Sequence, residues 1–210
     1  MITELLGYSQ TYQWYTGQPL NLGKLEYAQF LKNPCIGFKQ ANDFLEKYDQ
    51  IESWQAKFRF GGDLTDWKNP NYDGWKGGSN HCLRYSSDRV ERLIFNISGQ
   101  TRTQEQWEAD IKCVLKIIKA NYQNLKQLYL QPVIGGINNQ SNIRSIINHP
   151  VILHAIEHVV EQSEWDILRI GAALTMEEAY FSDIIGHLTD DGAKKAKEFM
   201  FKFYDSNNEN

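Results

Sequence analysis

Cysteine, proline and long apolar runs are all scarce in this sequence of 210 residues. Its three cysteines, Cys35, Cys82 and Cys113, lie far apart without a CxxC spacing. Such a sparse, odd set favours free thiols in a reducing compartment over a disulfide scaffold. No apolar run reaches the roughly 18 residues that predict a membrane span, and the first residues lack the pattern of a signal peptide. We therefore expect a cytoplasmic protein.

An excess of charge of one sign is missing as well. The net charge is −4, with acidic and basic residues interspersed and no basic stripe, so a nucleic-acid partner is not indicated. The length and the apolar content of 41% fit one large domain with a substantial core. No repeat or linker is found, so we expect a single domain over 1–210, with residues 205–210 as a flexible tail. No feature indicates an oligomeric state.

Short apolar runs, most of them closed by glycine or proline, alternate with helical patterns. These runs predict strands over residues 2–6, 56–60, 92–97, 127–131 and 165–170. Apolar spacing predicts helices over residues 103–122 and 150–162, and a last helix capped by Thr189. The first of these helices begins with a capping-box pattern, Thr103 to Gln106.

This alternation of strands and helices predicts an α/β protein. We expect three layers, α/β/α, around a mostly parallel five-stranded sheet like that of flavodoxin. Ligands of such folds bind beyond the carboxyl ends of the strands. The loops that follow residues 6, 60, 97 and 134 are therefore where we look for chemistry.

The first of these loops contains a serine, Ser9, directly after the first predicted strand. A sharp turn at the start of a helix would expose its hydroxyl beside backbone N–H groups able to stabilise an oxyanion. Serine needs a base to act as a nucleophile. Asp183 and His187, just before the last helix, offer a carboxylate and an imidazole for that purpose. The sequence thus predicts a serine-hydrolase site formed where the two ends of the chain meet.

Four segments resemble the conserved blocks of the SGNH (GDSL-type) esterases and lipases. Gly7-Tyr-Ser9-Gln-Thr11 resembles the first block, Gly-Asp-Ser, and the segment with Gly62 resembles the second, a glycine after a strand. Residues 94–101 take the place of the third block, Gly-x-Asn-Asp. Residues 183–193 are similar to the fifth block, in which Asp and His precede the last helix.

This resemblance implies an SGNH-like fold and a Ser-His-Asp mechanism. Ser9 would be the nucleophile, His187 the general base and Asp183 the residue that orients it. Backbone N–H groups of Ser9 and Gly62 would stabilise the oxyanion. No metal or organic cofactor is required, and the expected partner is a small-molecule ester.

The chain departs from the family pattern in three places. Tyr8 replaces the Asp of the first block, and Thr101 stands where the family has its oxyanion-binding Asn. Gln100 or Asn96 are alternative donors in place of that Asn. Three residues instead of two separate Asp183 from His187, which implies a bulged loop.

The aromatic segment 67–81 lies near the predicted site. Its rings suit stacking on an acetylated sugar or gripping an acyl chain, but they would equally suit a surface loop pinned by buried tryptophans. Ser79 in this segment is a rival nucleophile, ranked below Ser9 because it does not follow a strand.

Two other functions compete with the esterase. An SGNH-like binding domain with weakened or lost catalysis would explain the altered first and third blocks. Each site residue also has a purely structural interpretation: Ser9 as a helix cap, His187 as a loop histidine packed over the last helix, and Asp183 as a turn-stabilising carboxylate. The segment His154-Ala-Ile-Glu157-His158 matches the HxxEH pattern of inverted zinc peptidases. We rank this third, because the helical spacing places these residues on the solvated face.

Overall fold

A central parallel sheet organises the molecule. The computed structural model describes residues 1–20, 53–58, 63–76, 83–138 and 140–206. Five strands form the sheet in the order β2-β1-β3-β4-β6, with every neighbouring pair parallel. Their bounds are Thr3–Gly7 for β1, Trp54–Phe58 for β2, Arg92–Ile97 for β3, Gln127–Pro132 for β4 and Leu168–Ile170 for β6. The short strands β5, Gly135–Gly136, and β7, Thr175–Met176, pair separately.

Helices cover both faces of the sheet. Helices α1 and α5 pack on one face and α3 and α4 on the other, while α2 is a single short turn. Their bounds are Ser9–Thr16 for α1, Leu64–Trp67 for α2, Gln104–Asn121 for α3, Arg144–Glu161 for α4 and Asp190–Ser206 for α5. Short 3₁₀ turns occupy Asp73–Lys76, Ser87–Arg89 and Glu178–Tyr180. The predicted three-layer α/β/α fold with a five-stranded sheet is thereby confirmed.

The layer of α1 and α5 is unusually aromatic. The rings of Trp14, Tyr15, Trp54 and Tyr204 are buried and contact one another. Each ring of this size removes on the order of 150–250 Å² from water. The burial holds the first helix against the last one, and so brings the two ends of the chain together.

Local signals place most element boundaries well. Thr103 Oγ1 accepts a hydrogen bond from Gln106 N (3.3 Å), and Gln106 Oε1 accepts one from Thr103 N (3.0 Å), as the capping box predicts. Thr189 Oγ1 accepts from Gly192 N (3.1 Å) at the start of α5. The structure includes residues 205 and 206 in this last helix, whereas residues 207–210 lie outside the described part.

One helix begins earlier than predicted. Helix α4 starts at Arg144, so Pro150 lies inside it. Proline is favoured in the first turn of a helix and is costly in the interior. The sequence therefore predicts that this helix begins at residue 150. The buried side chains of Ile146 and His149 extend the apolar face of the helix in front of the proline. Their packing outweighs the missing hydrogen bond.

Strands β1 and β2 share a buried ion pair. Lys57 Nζ lies 2.9 Å from Glu4 Oε1, and both side chains are almost fully buried. Gln55 and Tyr122 each donate to the same carboxylate. Burial, and then the charge of Glu4, raise the pKa of Tyr122 well above its usual value. This cluster stabilises the fold beneath α3.

Within the described ranges, no helix combines the length and apolar character needed to cross a membrane. Cys113 is a free, exposed thiol. Cys35 and Cys82 lie outside the described residues.

Candidate active site

The turn that carries Ser9 depends on a glycine. A Cβ atom at Gly7 would lie only 2.2 Å from Thr11 Oγ1, so only glycine fits beneath that side chain. Thr11 Oγ1 accepts a hydrogen bond from Tyr8 N (3.3 Å), which fixes the entry into α1. Ser9 is then the first residue of the helix, half-buried at the carboxyl edge of the sheet.

The loop 183–187 is held together by one carboxylate. Asp183 Oδ1 accepts hydrogen bonds from the backbone N–H groups of Ile185, Gly186 and His187, at 2.9 to 3.1 Å. Gly186 has a φ of +106°, a conformation that disfavours side chains. A Cβ there would also lie 1.9 Å from Ser145 Oγ. The extra residue between Asp183 and His187 is accommodated by this bulge.

The two ends of the chain meet in a continuous hydrogen-bonded chain of side chains. Ser9 Oγ lies 2.9 Å from His187 Nε2, although 178 residues separate them in sequence. His187 Nδ1 lies 2.5 Å from Asp183 Oδ2. An ionised carboxylate only accepts hydrogen bonds, which assigns the ring proton to Nδ1 and leaves Nε2 as the acceptor for the serine hydroxyl. This arrangement can deprotonate Ser9 when it attacks an electrophile.

The Asp183 carboxylate is electrostatically suited to orient the imidazole. Burial alone would raise its pKa, but hydrogen bonds from the His187 ring, from His187 N and from Gly186 N outweigh that effect. The pKa of Asp183 therefore lies below its usual value. The group remains ionised at neutral pH, as an acceptor for Nδ1–H must.

Two buried glutamines of α1 hold the backbone on either side of His187. Gln10 Nε2 donates to Gly186 O (2.9 Å). Gln13 Nε2 donates to Leu188 O (2.8 Å), and Gln13 Oε1 accepts from Leu188 N (2.8 Å). Neither glutamine belongs to one of the motifs predicted from the sequence. The signal available in the sequence was two amide side chains, three residues apart, in a segment rich in aromatic residues.

The residues predicted as oxyanion donors differ in exposure and in hydrogen-bond partners. Thr101 is exposed on the loop after β3. Gln100 is also exposed, and its Oε1 accepts from Arg144 Nη1 (3.0 Å). Asn96 is buried, and its Nδ2 donates to the backbone oxygens of Gln131 (3.1 Å) and Pro132 (3.4 Å). Gly62 lies outside the described residues.

The loop 98–102 is braced by the Asp63 carboxylate, which contacts both its backbone and the Arg102 side chain. Asp63 caps α2 by accepting from Thr65 N (3.0 Å), and it also accepts from Gln100 N (2.7 Å). Arg102 donates to the same carboxylate, and its guanidinium lies over the Trp107 ring. Burial would raise the pKa of Asp63, but these hydrogen bonds outweigh it and lower the pKa. A carboxylate that is ionised at neutral pH therefore anchors the loop.

Tyr8, at the position where the SGNH block that it resembles has an acidic residue, is a buried aromatic side chain. Its side chain belongs to the apolar cluster that contains Leu64 and Trp67. Burial, and then the nearby Asp63 charge, raise the pKa of Tyr8 well above its usual value. The phenol is therefore neutral and serves packing between α1 and α2.

The described part of the aromatic segment packs inward. Trp67 and Trp75 are buried and make edge-to-face contact with a centroid distance of 4.8 Å. Trp75 stacks on Phe95 of β3. These two tryptophans therefore pin the segment to the core and do not present a surface for sugar stacking. Ser79 lies outside the described residues.

The HxxEH segment lies on the outer face of α4. His154 is 68% exposed and pairs with Glu157, 3.2 Å from Nδ1 to Oε2. His158 Nδ1 lies 2.8 Å from Glu108 Oε1 on α3. In the part of the chain that the structure describes, no three His, Cys, Asp or Glu side chains gather to hold a metal ion.

Proteins of known structure include one with a similar fold. The chain matches no protein-family profile and no curated protein. A similar solved structure is that of an active site mutant of a family two carbohydrate esterase from Clostridium thermocellum, in complex with "celluohexase". The TM-score is 0.53 at 9% sequence identity, over 99% of this chain and 63% of the esterase chain. This chain thus spans less than two thirds of that protein, and the likeness shows a distantly esterase-like α/β fold.

Proposed function

We propose that this protein is a serine carboxylic ester hydrolase of the SGNH type. The observation that carries the proposal is the hydrogen-bonded series from Ser9 through His187 to Asp183, at 2.9 and 2.5 Å. Its position at the carboxyl edge of a parallel sheet is where such folds bind ligands. The esterase-like fold supports the same conclusion.

The reaction follows from the proton positions. Ser9 Oγ attacks the ester carbonyl carbon while His187 Nε2 takes its proton. The tetrahedral intermediate then collapses, His187 gives the proton to the leaving alcohol, and an acyl group remains on Ser9. Water, deprotonated by the same imidazole, then attacks the acyl carbon. The bond from that carbon to Ser9 Oγ breaks, Ser9 recovers the proton from His187, and the acid leaves. Asp183 stabilises the imidazolium that forms in each half-reaction.

The oxyanion would be stabilised by backbone N–H groups at the start of α1 and at Gly62, with the Thr101 hydroxyl as a third donor. Ser9 N is favourably placed, because the first N–H groups of a helix have no partner within the helix. Thr101 lies in the loop 98–102 that Asp63 braces, next to Gln100. Each donor of this kind is worth about 10²–10³ in rate.

We infer a small acyl ester as substrate, with an acetylated carbohydrate as the first choice. The neighbouring structure is a carbohydrate esterase, which supports a sugar as the alcohol. Trp67 and Trp75 pack inward, so stacking of a sugar on these two rings does not support a carbohydrate substrate.

Hydrolysis assays test the proposal. We expect the parent protein to release p-nitrophenol from p-nitrophenyl acetate, and Ser9→Ala and His187→Ala to reduce kcat by at least about 10⁴-fold, because a triad acts as a unit. Ser163→Ala and His154→Ala are matched controls, since Ser163 caps a turn after α4 and His154 is exposed on that helix. Both controls are expected to retain parental kcat.

The outcomes separate the competing functions. Absence of hydrolysis by the folded parent on p-nitrophenyl esters and on an acetylated oligosaccharide would favour the binding domain. Activity that is retained in Ser9→Ala would exclude Ser9 as the nucleophile. Activity that is lost only with a chelator or in His154→Ala would favour the zinc site.

A further inference from the structure

We propose that Gln10 and Gln13 are positioning residues that lock the His187 loop to the helix carrying Ser9. The inference rests on the proposed function, because it concerns the same reaction. It goes further by assigning a role to two side chains that touch neither the substrate nor the reacting atoms. They act through the backbone on either side of His187.

The side-chain amide of Gln13 bonds both backbone groups of Leu188, as a neighbouring β-strand would. Its amide donates to Leu188 O and accepts from Leu188 N, both at 2.8 Å. The side chain is fully buried, so no water can replace either bond without rearrangement. One amide therefore satisfies both backbone groups of the residue that follows His187.

Gln10 secures the residue that precedes His187. Its Nε2 donates to Gly186 O (2.9 Å), and its Oε1 accepts from Ile134 N (2.6 Å) in the loop after β4. Gln10 is 6% exposed and directly follows the nucleophile. The side chain thus links three parts of the site: the Ser9 turn, the His187 loop and the β4 loop.

The His187 loop needs such an external attachment. The hydrogen bonds of Asp183 that shape the loop all run to residues 185–187 within it. The loop lies at the surface, with the Asp183 side chain 39% exposed and Ile184 67% exposed. Asp183 therefore sets the ring orientation inside the loop, whereas the glutamines set the distance from the loop to Ser9. An additional backbone bond from Arg144 N to Ile184 O (2.8 Å) ties the loop to α4 instead of α1.

Losing this attachment affects the chemical step. A shift of about 1 Å between nucleophile and base can cost roughly 10²-fold in rate. Neither glutamine is proposed to contact the substrate, so kcat should fall while KM stays the same. A role in stability alone would leave kcat per folded molecule unchanged.

The chain supplies a matched control for this inference. Gln55 makes the same pair of bonds to a single backbone residue: Nε2 donates to Tyr85 O (3.0 Å), and Oε1 accepts from Tyr85 N (2.9 Å). Gln55 is equally buried but lies near the amino end of β2, among the Glu4 and Lys57 side chains. Its loss should therefore cost at least as much stability without moving His187.

The experiment replaces each glutamine by methionine, which keeps the side-chain volume and removes both hydrogen bonds. We expect Gln13→Met and Gln10→Met each to lower kcat for p-nitrophenyl acetate by about 10–100-fold with KM within about twofold. Gln55→Met should keep parental kcat despite an equal or larger fall in Tm. Equal kcat, per folded molecule, in Gln10→Met, Gln13→Met and Gln55→Met would overturn the proposal. Because the two site glutamines are tested separately, the failure of one variant to fold leaves the other decisive.

Failure of the proposed function has a different signature. If the parent hydrolyses no ester, the esterase assignment fails, and the attachment is tested by NMR of the ¹⁵N-labelled imidazole rings. We expect one sharp His187 ring signal in the parent and in Gln55→Met, but a broadened or doubled signal in Gln10→Met/Gln13→Met. An unchanged His187 signal in that double variant would refute the positioning role whatever the enzyme activity.

Discussion

The base side and the oxyanion side of the candidate site are built in different ways. On the base side, side chains make the decisive contacts, from Ser9 to His187 at 2.9 Å and from His187 to Asp183 at 2.5 Å. On the oxyanion side, the Asp63 carboxylate braces the backbone of loop 98–102, and the candidate donor Thr101 is exposed. In the proposed mechanism, the base side thus depends on the identity of three side chains, whereas the oxyanion side depends on one exposed hydroxyl and on how the loop that carries it is held.

The largest expected effect is on the base side. Asp183→Asn should lower kcat by about 10³–10⁴-fold, because the amide cannot hold the Nδ1–H tautomer of His187 as the carboxylate does. Steady-state hydrolysis of p-nitrophenyl acetate measures it. Asp190→Asn is the control, since Asp190 is an exposed carboxylate that pairs with Lys194 on α5. A loss below about tenfold in Asp183→Asn would reduce Asp183 to a loop-stabilising group.

Substitutions at the three candidate donors then test the oxyanion side. Thr101→Val should lower kcat by about 10²-fold, as the loss of one oxyanion donor does. Gln100→Ala should change kcat by less than about threefold, because the Gln100 side chain accepts from Arg144 at the surface. A larger loss of kcat in Gln100→Ala than in Thr101→Val would indicate Gln100, and not Thr101, as the oxyanion donor. Asn96→Asp should chiefly lower stability, because its amide group donates to the backbone of β4.

A smaller effect is expected from the brace behind the oxyanion loop. Asp63→Asn should lower kcat by about tenfold, since it weakens the ionic contact with Arg102 and the bond from Gln100 N that hold loop 98–102. Asp190→Asn again serves as the control, because Asp190 is an exposed carboxylate that pairs with Lys194 on α5. Equal kcat in Asp63→Asn and the parent would show that the brace does not position a donor.

The smallest effect is a pH dependence of stability. The folded pKa values of Asp63 and Asp183 lie below their usual values. These carboxylates therefore stabilise the fold above the unfolded pKa of about 3.9, and the contribution is lost as pH falls through the folded pKa. Thermal unfolding should show a Tm that falls below about pH 4, and less steeply in Asp63→Asn. If the Tm of Asp63→Asn fell with decreasing pH as steeply as the Tm of the parent, this prediction would be contradicted.

The fold and the proposed triad residues could be predicted from the sequence, because local patterns mark them. The strands and the three-layer fold follow from local apolar runs; β3, for example, has the predicted bounds of 92–97. Ser9, Asp183 and His187 could be found because short motifs surround each of them. Their contacts remained a matter for three-dimensional structure, and their catalytic role stays a prediction.

Other parts of the site have no signature of this kind. Gln10 and Gln13 look like ordinary helical residues, and their role appears only when Gly186 and Leu188 are folded against them. Asn96, Gln100 and Thr101 all carry side-chain donors within or just after β3, so the sequence could not rank them. Pro150 suggested a helix start because proline is favoured in the first turn of a helix. Its actual position inside α4 depends on tertiary packing, which the local pattern does not contain.

Fluorophosphonate labelling tests the central claim most directly. The parent protein and His187→Ala would be treated with the probe, weighed by intact-protein mass spectrometry, and the labelled peptide sequenced. The account predicts one adduct per chain, on Ser9 in the parent and absent from His187→Ala. An adduct on another serine, or equal labelling rates of Ser9 in the two proteins, would contradict it.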